Sequence, residues 1–452
     1  MRYLKLGTAG MRGVVGNGID PLRVIDYAAA FGTFVNGGRV VVGRDSRASS
    51  LMIYHAVVAA LLNCGCRVID AGITPAPVLH FMTEELGADG ALLIGAGHQG
   101  AGWNAVIPLN GNGSYMNSAM LQELLDVYHS RQYRCATWNK LGHSMRPAID
   151  PVDGYLELIA SRIDLELIRQ KKYRVVADFC NGSGIQLIEQ FSALLGIEMI
   201  PINRLNSGLL PHSPEPRPRS AAQVQSIMAP LNADVGFVFN SDMSRCSVVT
   251  DSGETLSEEY TFPLVADYML SRETENRRIV TNICTTRTLD EIVQRHGGVL
   301  YKARVGQGFL IDKMMEVNAL LAGDGSGSTA FSQGVNGFDS FMQMAIILEA
   351  MAYGDISSSE LAGRLPRYHA VKITVPCRSE RAYKLLKTLK SYFPDAKVSE
   401  TDGLNFEWDD GWISLRAATT EPVIRMISEW TTHDEAFDRA MQMRGLLERN
   451  EA

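Results

Sequence analysis

The chain has 452 residues, 46% of them hydrophobic and 21% charged, with a formal net charge of −7. At roughly 150 residues per domain, this length predicts about three domains with ordinary globular cores. The modest negative charge argues against a general nucleic-acid or anionic-membrane surface, and no run approaches the ~20 apolar residues of a membrane span. The seven cysteines are dispersed and the amino terminus has no apolar signal core, so we expect a cytoplasmic protein with reduced thiols.

The first third of the chain alternates between helical and strand patterns. Helices are predicted at residues 21–35 and 50–62, and strands at 39–43, 66–72 and 91–97. This spacing of strand, helix and strand predicts right-handed crossovers and a mostly parallel sheet. A polar stretch at residues 142–147 indicates the first domain boundary, near residue 148.

The same alternation then begins twice more. The first of these units has predicted helices at 150–168 and 184–195, strands at 173–179, 197–203 and 234–240, and a Pro-rich loop at 211–219. The second begins near residue 253, with strands at 277–283, 298–306 and 319–328, a helix from 289 and a long helix at 338–352. Both units therefore read as further βαβ-rich domains.

The tail of the chain has a different pattern. A strand at 371–377 and a helix from Glu380 precede the short strands 396–400, 404–410 and 411–418, and a final helix begins at Asp434. This order favours a smaller α+β domain with an antiparallel sheet. The predicted fold class is α/β, with three consecutive mixed or parallel βαβ-rich domains and a C-terminal α+β domain, at 1–148, 149–253, 254–368 and 369–452.

Three early segments carry a family resemblance. LGTAGMRG (6–13), GRDSRASS (43–50) and GITPAP (72–77) resemble the opening of the alpha-D-phosphohexomutase superfamily, and later segments follow in the family's order. The resemblance implies four domains around a central cleft in which sugar phosphates are isomerised. It also implies four loops there: a phosphorylated serine, a three-aspartate Mg²⁺ site, a sugar-binding loop and a phosphate-binding loop.

The segment that matches the serine loop lacks the serine. GAGHQG (95–100) stands where the family has TASHNP, which places Gly97 at the nucleophile position. Glycine has no side chain to carry a phosphoryl group, so we expect no covalent catalysis there. His98 is retained and is expected to orient the loop, with a role as phosphoryl acceptor as the alternative. Ile107 replaces a family lysine that would neutralise phosphoryl charge.

The segment that matches the metal loop keeps one aspartate of three. NSDMSR (240–245) stands where the family has DGDADR, so Asp242 remains while Asn240 and Ser244 replace the other ligands. Mg²⁺ prefers anionic oxygen ligands and gives up its water reluctantly. We therefore expect a degenerate metal site and no cofactor, with Mg²⁺ needed only if the protein is an active enzyme.

The sugar loop is altered but keeps two polar side chains. GDGSGS (323–328) retains Ser326 and shortens the family's glutamate to Asp324, while Ser328 stands in place of a histidine. A serine and a carboxylate can bind a sugar diol, although an ordinary Gly/Ser turn explains the segment equally well. Gln307 stands where the family usually has His or Lys.

The phosphate loop is the best preserved of the four. RAATTEPVIR (416–425) keeps Arg416, Thr420 and Arg425 of the family pattern. Arginine offers forked donors to phosphate oxygens, so these residues predict an anion site. Arg12 is expected to add positive charge from the amino-terminal side of the cleft, and the same role is open to Arg44 and Arg47.

We interpret the chain as a phosphohexomutase-like protein that binds a hexose phosphate without turnover, or that acts as a partner or regulator in carbohydrate metabolism. The first alternative is an active mutase, or a repurposed sugar-phosphate enzyme, with an atypical phosphoryl acceptor. The second is a purely structural interaction protein. A homodimer, or a heterodimer with an active relative, is compatible with the sequence. No nucleic-acid or membrane partner is expected.

Overall fold

The computed structural model describes residues 4–7, 10–147, 150–418 and 423–451. These residues form four sheets, one after another along the chain. We call the units built on them domains I to IV. The predicted domain limit at 148 lies outside the described residues.

Domain I is built on a seven-stranded sheet in the order β1-β2-β6-β5-β3-β4-β7. Its strands are β1 (Leu4–Gly7), β2 (Gly10–Val14), β3 (Arg39–Arg44), β4 (Arg67–Ile73), β5 (Gly90–Ile94), β6 (Trp103–Asn110) and β7 (His143–Met145). Its helices are α1 (Pro21–Phe34), α2 (Ser50–Asn63), α3 (Ala76–Glu85) and α4 (Ser118–Ser130), with a short 3₁₀ helix at Trp138–Lys140.

This sheet is mixed rather than mostly parallel. Strands β5, β3, β4 and β7 pair in parallel, as the crossover pattern predicts. Strands β6, β2 and β1 pair antiparallel, because the chain turns back after β5 and lays β6 beside it. The loop at this reversal is residues 95–102, which includes Gly97.

Domain II has a four-stranded sheet in the order β11-β10-β8-β9, with β11 antiparallel to the others. Its elements are α5 (Pro151–Ala160), α6 (Leu165–Lys171), β8 (Arg174–Asp178), α7 (Ile188–Leu195), β9 (Glu198–Ile202), α8 (Ala222–Leu231), β10 (Val235–Phe239) and β11 (Cys246–Thr250), with 3₁₀ turns at Ser183–Leu187 and Pro218–Ala221. The single helix predicted at 150–168 is wrong. The Asp164 side chain accepts a hydrogen bond from the Leu167 amide and so begins a second helix.

Domain III has a four-stranded sheet in the order β13-β12-β14-β15. Its elements are α9 (Thr261–Arg272), β12 (Arg278–Asn282), α10 (Thr288–Arg295), β13 (Val299–Ala303), α11 (Gln307–Val317), β14 (Leu321–Asp324), β15 (Ser328–Phe331), α12 (Ser340–Gly354) and α13 (Ser358–Gly363), after a 3₁₀ turn at Glu258–Tyr260. The predicted strand at 319–328 is therefore a hairpin of two short antiparallel strands whose turn carries Ser326.

Domain IV has a five-stranded antiparallel sheet in the order β16-β20-β19-β18-β17. Its elements are β16 (His369–Pro376), α14 (Ser379–Leu389), β17 (Lys397–Ser399), β18 (Leu404–Glu407), β19 (Gly411–Ala417), β20 (Val423–Trp430) and α15 (His433–Glu451). This is the α+β architecture expected from the sequence.

Apolar packing joins domains I to III more closely than it joins domain IV. One buried cluster runs from Val41 in domain I to Leu365 in domain III, whereas domain IV has its own core around Phe406. Across the interface between domains II and III, the Phe341 ring packs against Tyr155 and Phe191. No helix within the described ranges is both long and apolar enough to cross a membrane.

Candidate active site

Residues of domains II, III and IV line a cavity of about 580 Å³. Domains II and IV contribute cations to its lining, and domain III contributes a carboxylate and a hydroxyl; these side chains include Arg245, Arg416, Arg425, Asp324 and Ser326. A smaller cavity of about 40 Å³ lies where domain I meets the loop after β10, and its lining includes Arg12, Gly97, His98, Asp242, Ser244 and Gln307. The predicted site residues are thus divided between the two cavities, apart from Asn240, which lines neither, and Thr420, which lies outside the described residues.

Asp242 fills the space beside Gly97. Residue 97 has a φ of +50°, in the left-handed region that favours glycine. A Cβ atom at this position would lie 2.6 Å from Asp242 Oδ2 and 3.5 Å from Asn240 Nδ2. A contact of 2.6 Å is shorter than real Cβ atoms make, so a side chain here requires the Asp242 carboxylate to move.

Arg47 supports this loop from within the protein and does not face the cleft. Its guanidinium is 1% exposed and pairs with Asp45 at 2.9 Å. It also donates hydrogen bonds to the carbonyl oxygens of Gly97 (3.0 Å), Gln99 (2.7 Å) and Gly100 (3.0 Å). Arg47 is therefore a buried support of the loop, paired with Asp45, and its positive charge still contributes to lowering the pKa of His98.

His98 is held as a neutral imidazole. The Gln99 side-chain nitrogen lies 3.0 Å from His98 Nε2. An amide nitrogen can only donate, so Nε2 is the acceptor. Burial, together with the nearby Arg245 and Arg12 cations, lowers the pKa of His98 well below its usual range. An uncharged His98 orients the loop through hydrogen bonds and adds no positive charge to the cavity.

The loop that matches the metal site satisfies its own polar groups. Asp242 Oδ1 accepts hydrogen bonds from Ser244 Oγ (2.6 Å) and from the Ser244 amide (3.1 Å). Asn240 donates to Ser244 Oγ (3.0 Å), and its side-chain oxygen accepts from the Ser244 and Arg245 amides. These contacts close the loop on itself.

The donors in this loop do not fit Mg²⁺. They are one carboxylate, one amide and one hydroxyl, and the hydrogen bonds among them use Asp242 Oδ1, the Asn240 amide and Ser244 Oγ. Mg²⁺ prefers several anionic oxygens in a near-octahedral array, and this loop offers one carboxylate. Within the described residues, no group of three or more His, Cys, Asp and Glu side chains is placed to hold a metal ion.

Two arginines bring positive charge to this end of the cleft. The Arg12 side chain makes no hydrogen bond or ion pair with any residue that the structure describes. Arg245 Nε is buried without a partner, and Arg245 Nη1 lies 3.8 Å from Glu215 Oε1. Burial, and then repulsion from Arg245, lowers the pKa of Arg12. Such a pair favours an anion between or beside the two guanidinium groups.

The sugar loop forms a small hydroxyl and carboxylate cluster. Asp324 ends β14, and its Oδ1 accepts hydrogen bonds from the Ser326 amide (3.0 Å) and from Ser326 Oγ. Ser326 Oγ also lies 3.4 Å from Ser328 Oγ. Asp324 and Ser326 line the larger cavity, which places them within reach of a ligand held by the domain IV arginines.

Arg416 and Arg425 face each other across neighbouring strands. They are direct register partners in the pairing of β19 with β20. Like charges directly opposite each other are destabilising in an antiparallel pair unless an anion lies near them. Arg416 Nη1 lies 3.4 Å from Asp402 Oδ2, and both arginines line the larger cavity.

Sequence reasoning missed several cavity residues. Lys372 of β16 lines the cavity and pairs with Glu259 of domain III at 2.5 Å. Glu215 and Arg217 also line it, from the Pro-rich loop of domain II. A lysine within the apolar strand VKITVPC was the one available signal for Lys372. The Pro-rich loop contains several charged residues, but its sequence does not indicate that these side chains face the cavity.

Comparisons with known proteins agree with this arrangement of domains. Three family descriptions match: "Phosphoglucomutase/phosphomannomutase, alpha/beta/alpha domain I" over residues 4–134, domain II over 153–253 and domain III over 257–368. A protein of Thermococcus kodakarensis named "Phosphoglucomutase/phosphomannomutase" is 32% identical over 441 residues, which cover 95% of each chain.

Two further similarities extend over nearly the whole chain. A protein of Thermococcus gammatolerans named "Probable phosphoglucosamine mutase" is 33% identical over 437 residues, covering 95% of each chain. The crystal structure of a phosphoglucomutase/phosphomannomutase family protein from Burkholderia thailandensis is 26% identical and covers 98% of this chain and 97% of its own, with a TM-score of 0.84. The chain therefore belongs to the phosphoglucomutase/phosphomannomutase family of the alpha-D-phosphohexomutase superfamily.

Proposed function

We propose that this protein binds a hexose phosphate in its cleft and does not transfer the phosphoryl group to residue 97. The observation that carries the proposal is the contrast between the two ends of the cleft. At one end, Arg416 and Arg425 lie opposite each other beside Asp324 and Ser326. At the other end, the space for a nucleophilic side chain at Gly97 is taken by Asp242.

The cavity suits an anionic sugar. Two guanidinium groups supply forked donors for a phosphate, and a serine hydroxyl with a carboxylate can exchange hydrogen bonds with sugar hydroxyls. A volume of about 580 Å³ is within the range of ligand pockets and is ample for one hexose phosphate. The identity of the hexose is left to the binding experiment.

Binding is tested by thermal unfolding and calorimetry with glucose, mannose and glucosamine 1-phosphates. A ligand at about 100 times its dissociation constant should stabilise the fold by about 2.7 kcal/mol, whereas free glucose should not. Arg425→Met should weaken phosphate binding at least tenfold. Arg444→Ala is the control, because Arg444 carries the same charge but lies on the surface of the last helix, where it forms an ion pair with Glu448. Equal binding by wild type and Arg425→Met would contradict the proposal.

An active mutase is the second candidate, and the named relatives favour it. The similar Thermococcus proteins carry mutase names, and Arg12 and Arg245 provide positive charge where a phosphoryl group would react. Phosphoryl transfer depends largely on such positioned charge. An assay with hexose 1-phosphates, the 1,6-bisphosphate activator and Mg²⁺ separates the two candidates.

Robust turnover, with label from a ³²P-bisphosphate retained on a residue such as His98, would contradict the proposal of binding without transfer. It would instead support an active mutase with an atypical phosphoryl acceptor. A purely structural protein, or a subunit that serves only as partner to an active relative, predicts neither turnover nor stabilisation by any sugar phosphate.

A further inference from the structure

One carboxylate connects domain IV to domain III at the edge of the larger cavity. Asp402 lies in the turn between β17 and β18, and its Oδ2 accepts a hydrogen bond of 3.0 Å from the Val305 amide of domain III. The same oxygen lies 3.4 Å from Arg416 Nη1. Val305 and Arg416 both line the cavity. A single oxygen therefore engages two cavity donors that belong to different domains.

These two donors are the kind that bind an oxyanion. A backbone N–H and an arginine guanidinium are the usual partners of phosphate oxygens, and here both point at a carboxylate oxygen instead. Among the residues that the structure describes, Asp402 is the carboxylate found in ion-pair range of Arg416. The Asp402 carboxylate thus stands in for part of an anionic ligand.

The contact is suited to exchange. The Arg416 and Asp402 side chains are 27% and 19% exposed, and 3.4 Å is long for a charge-assisted hydrogen bond. Ion pairs with this much solvent contact add little stability and are readily replaced. A phosphate carries more negative charge than a carboxylate and offers more acceptor oxygens, so it can displace Asp402 from Arg416.

We propose that Asp402 is a specificity-determining residue that competes with the ligand phosphate for Arg416. Without ligand, Asp402 occupies Arg416 and links domain IV to Val305. When a phosphorylated sugar enters, its phosphate takes over Arg416, and sugars without a strongly anionic group cannot make this exchange. The inference rests on the proposed function for the class of ligand, and it adds a residue that sets affinity and selectivity.

The test removes the charge while keeping the shape. Asp402→Asn retains a side-chain oxygen that can accept a hydrogen bond from the Val305 backbone N–H. Asp402→Ala removes both contacts and serves as a second variant in case the asparagine side chain disturbs the turn. In both variants the dissociation constant for glucose 1-phosphate, measured by calorimetry, should fall by about 1.5- to 5-fold, as expected for release of a partly exposed ion pair. Asp410→Asn is the matched control, since it changes the same charge at an exposed position in the next turn.

The outcomes separate this inference from the proposed function. Tighter binding in the Asp402 variants and unchanged binding in Asp410→Asn support the competition, as does binding that appears only when Asp402 is replaced. Weaker or unchanged binding in the Asp402 variants, while wild type binds, overturns the inference and leaves the proposed function standing. An equal gain in Asp410→Asn assigns the effect to net charge and also overturns it. No binding by wild type or any variant overturns both.

Discussion

At the scale of single residues, position 97 combines two obstacles to a side chain. The backbone there is left-handed, and a Cβ atom would lie only 2.6 Å from Asp242 Oδ2. Sequence comparison identified the glycine but could not reveal the second obstacle, because Gly97 and Asp242 are far apart in the chain. The same limit applies to Arg47, since nothing in its local sequence distinguishes a buried guanidinium from one that faces a cleft.

Returning serine to position 97 should therefore not create a working site. Gly97→Ser is expected to destabilise the protein by about 1–3 kcal/mol, from the left-handed backbone and the contact with Asp242, and to acquire no phosphoryl label. Urea unfolding and labelling with a ³²P-bisphosphate measure the two effects. Gly100→Ser is the control, because a Cβ there meets open space, and its stability should stay within about 0.5 kcal/mol of wild type. Efficient labelling of Gly97→Ser would refute this prediction.

At the scale of elements, strands and helices were more predictable than loops. The runs RVVVG, RVVADF and RRIVTNI are strands as expected, because consecutive apolar residues between turns mark buried parallel strands. Strand β20 was not predicted, although it lies inside its sheet, between β16 and β19, and carries Arg425. Its sequence, VIRMISEW, has arginine, serine and glutamate among its apolar residues and so lacks the continuous apolar run of a buried strand. Glu429 is buried, although a glutamate is normally expected to face solvent.

The loop at residues 240–245 gives a second prediction, which concerns metal. The double variant Asn240→Asp, Ser244→Asp places three buried carboxylates together, so we expect lower stability than wild type in EDTA because of charge repulsion. Mg²⁺ should restore the stability of the double variant, while wild type should show no Mg²⁺-dependent shift. Thermal unfolding with and without millimolar Mg²⁺ provides the measurement. A wild-type shift as large as the variant's would show that the present donors do hold the ion.

At the scale of the whole molecule, domain IV is tied to domain III largely through polar contacts. The Glu429 side chain, 1% exposed, accepts hydrogen bonds from the Arg287 amide of domain III (2.7 Å) and from Trp412 Nε1 (2.8 Å). The Arg287 guanidinium in turn donates to the Trp408 carbonyl. Neither contact was evident in the sequence, because Glu429 and Arg287 lie on separate domains. Because the Glu429 carboxyl group is buried at this junction, we expect the stability of the contact between domains III and IV to depend on pH.

Burial raises the pKa of Glu429 to about 7, from 4.5 for an unperturbed glutamate. The native state thus binds this proton more tightly than the unfolded state does. The resulting stabilisation is complete below the unfolded-state pKa and is lost as the pH rises through about 7. Glu429→Gln should flatten this decline in the free energy of unfolding between pH 4.5 and 7, as measured by urea titrations. Glu448→Gln, at an exposed position of the last helix, should leave the profile unchanged. An unaltered profile in Glu429→Gln would contradict the assignment.

The self-contained loop at residues 240–245 also bears on which sequences can be reached from this one. Serine at position 97 needs Asp242 to turn aside, yet Asp242 is fixed by Ser244, and Ser244 is in turn fixed by Asn240. A single change at position 97 therefore disturbs a hydrogen-bond network that spans the whole loop. Selection for a side chain at position 97 should accordingly yield compensating changes at positions 240, 242 or 244 together with it, and not a lone substitution at 97.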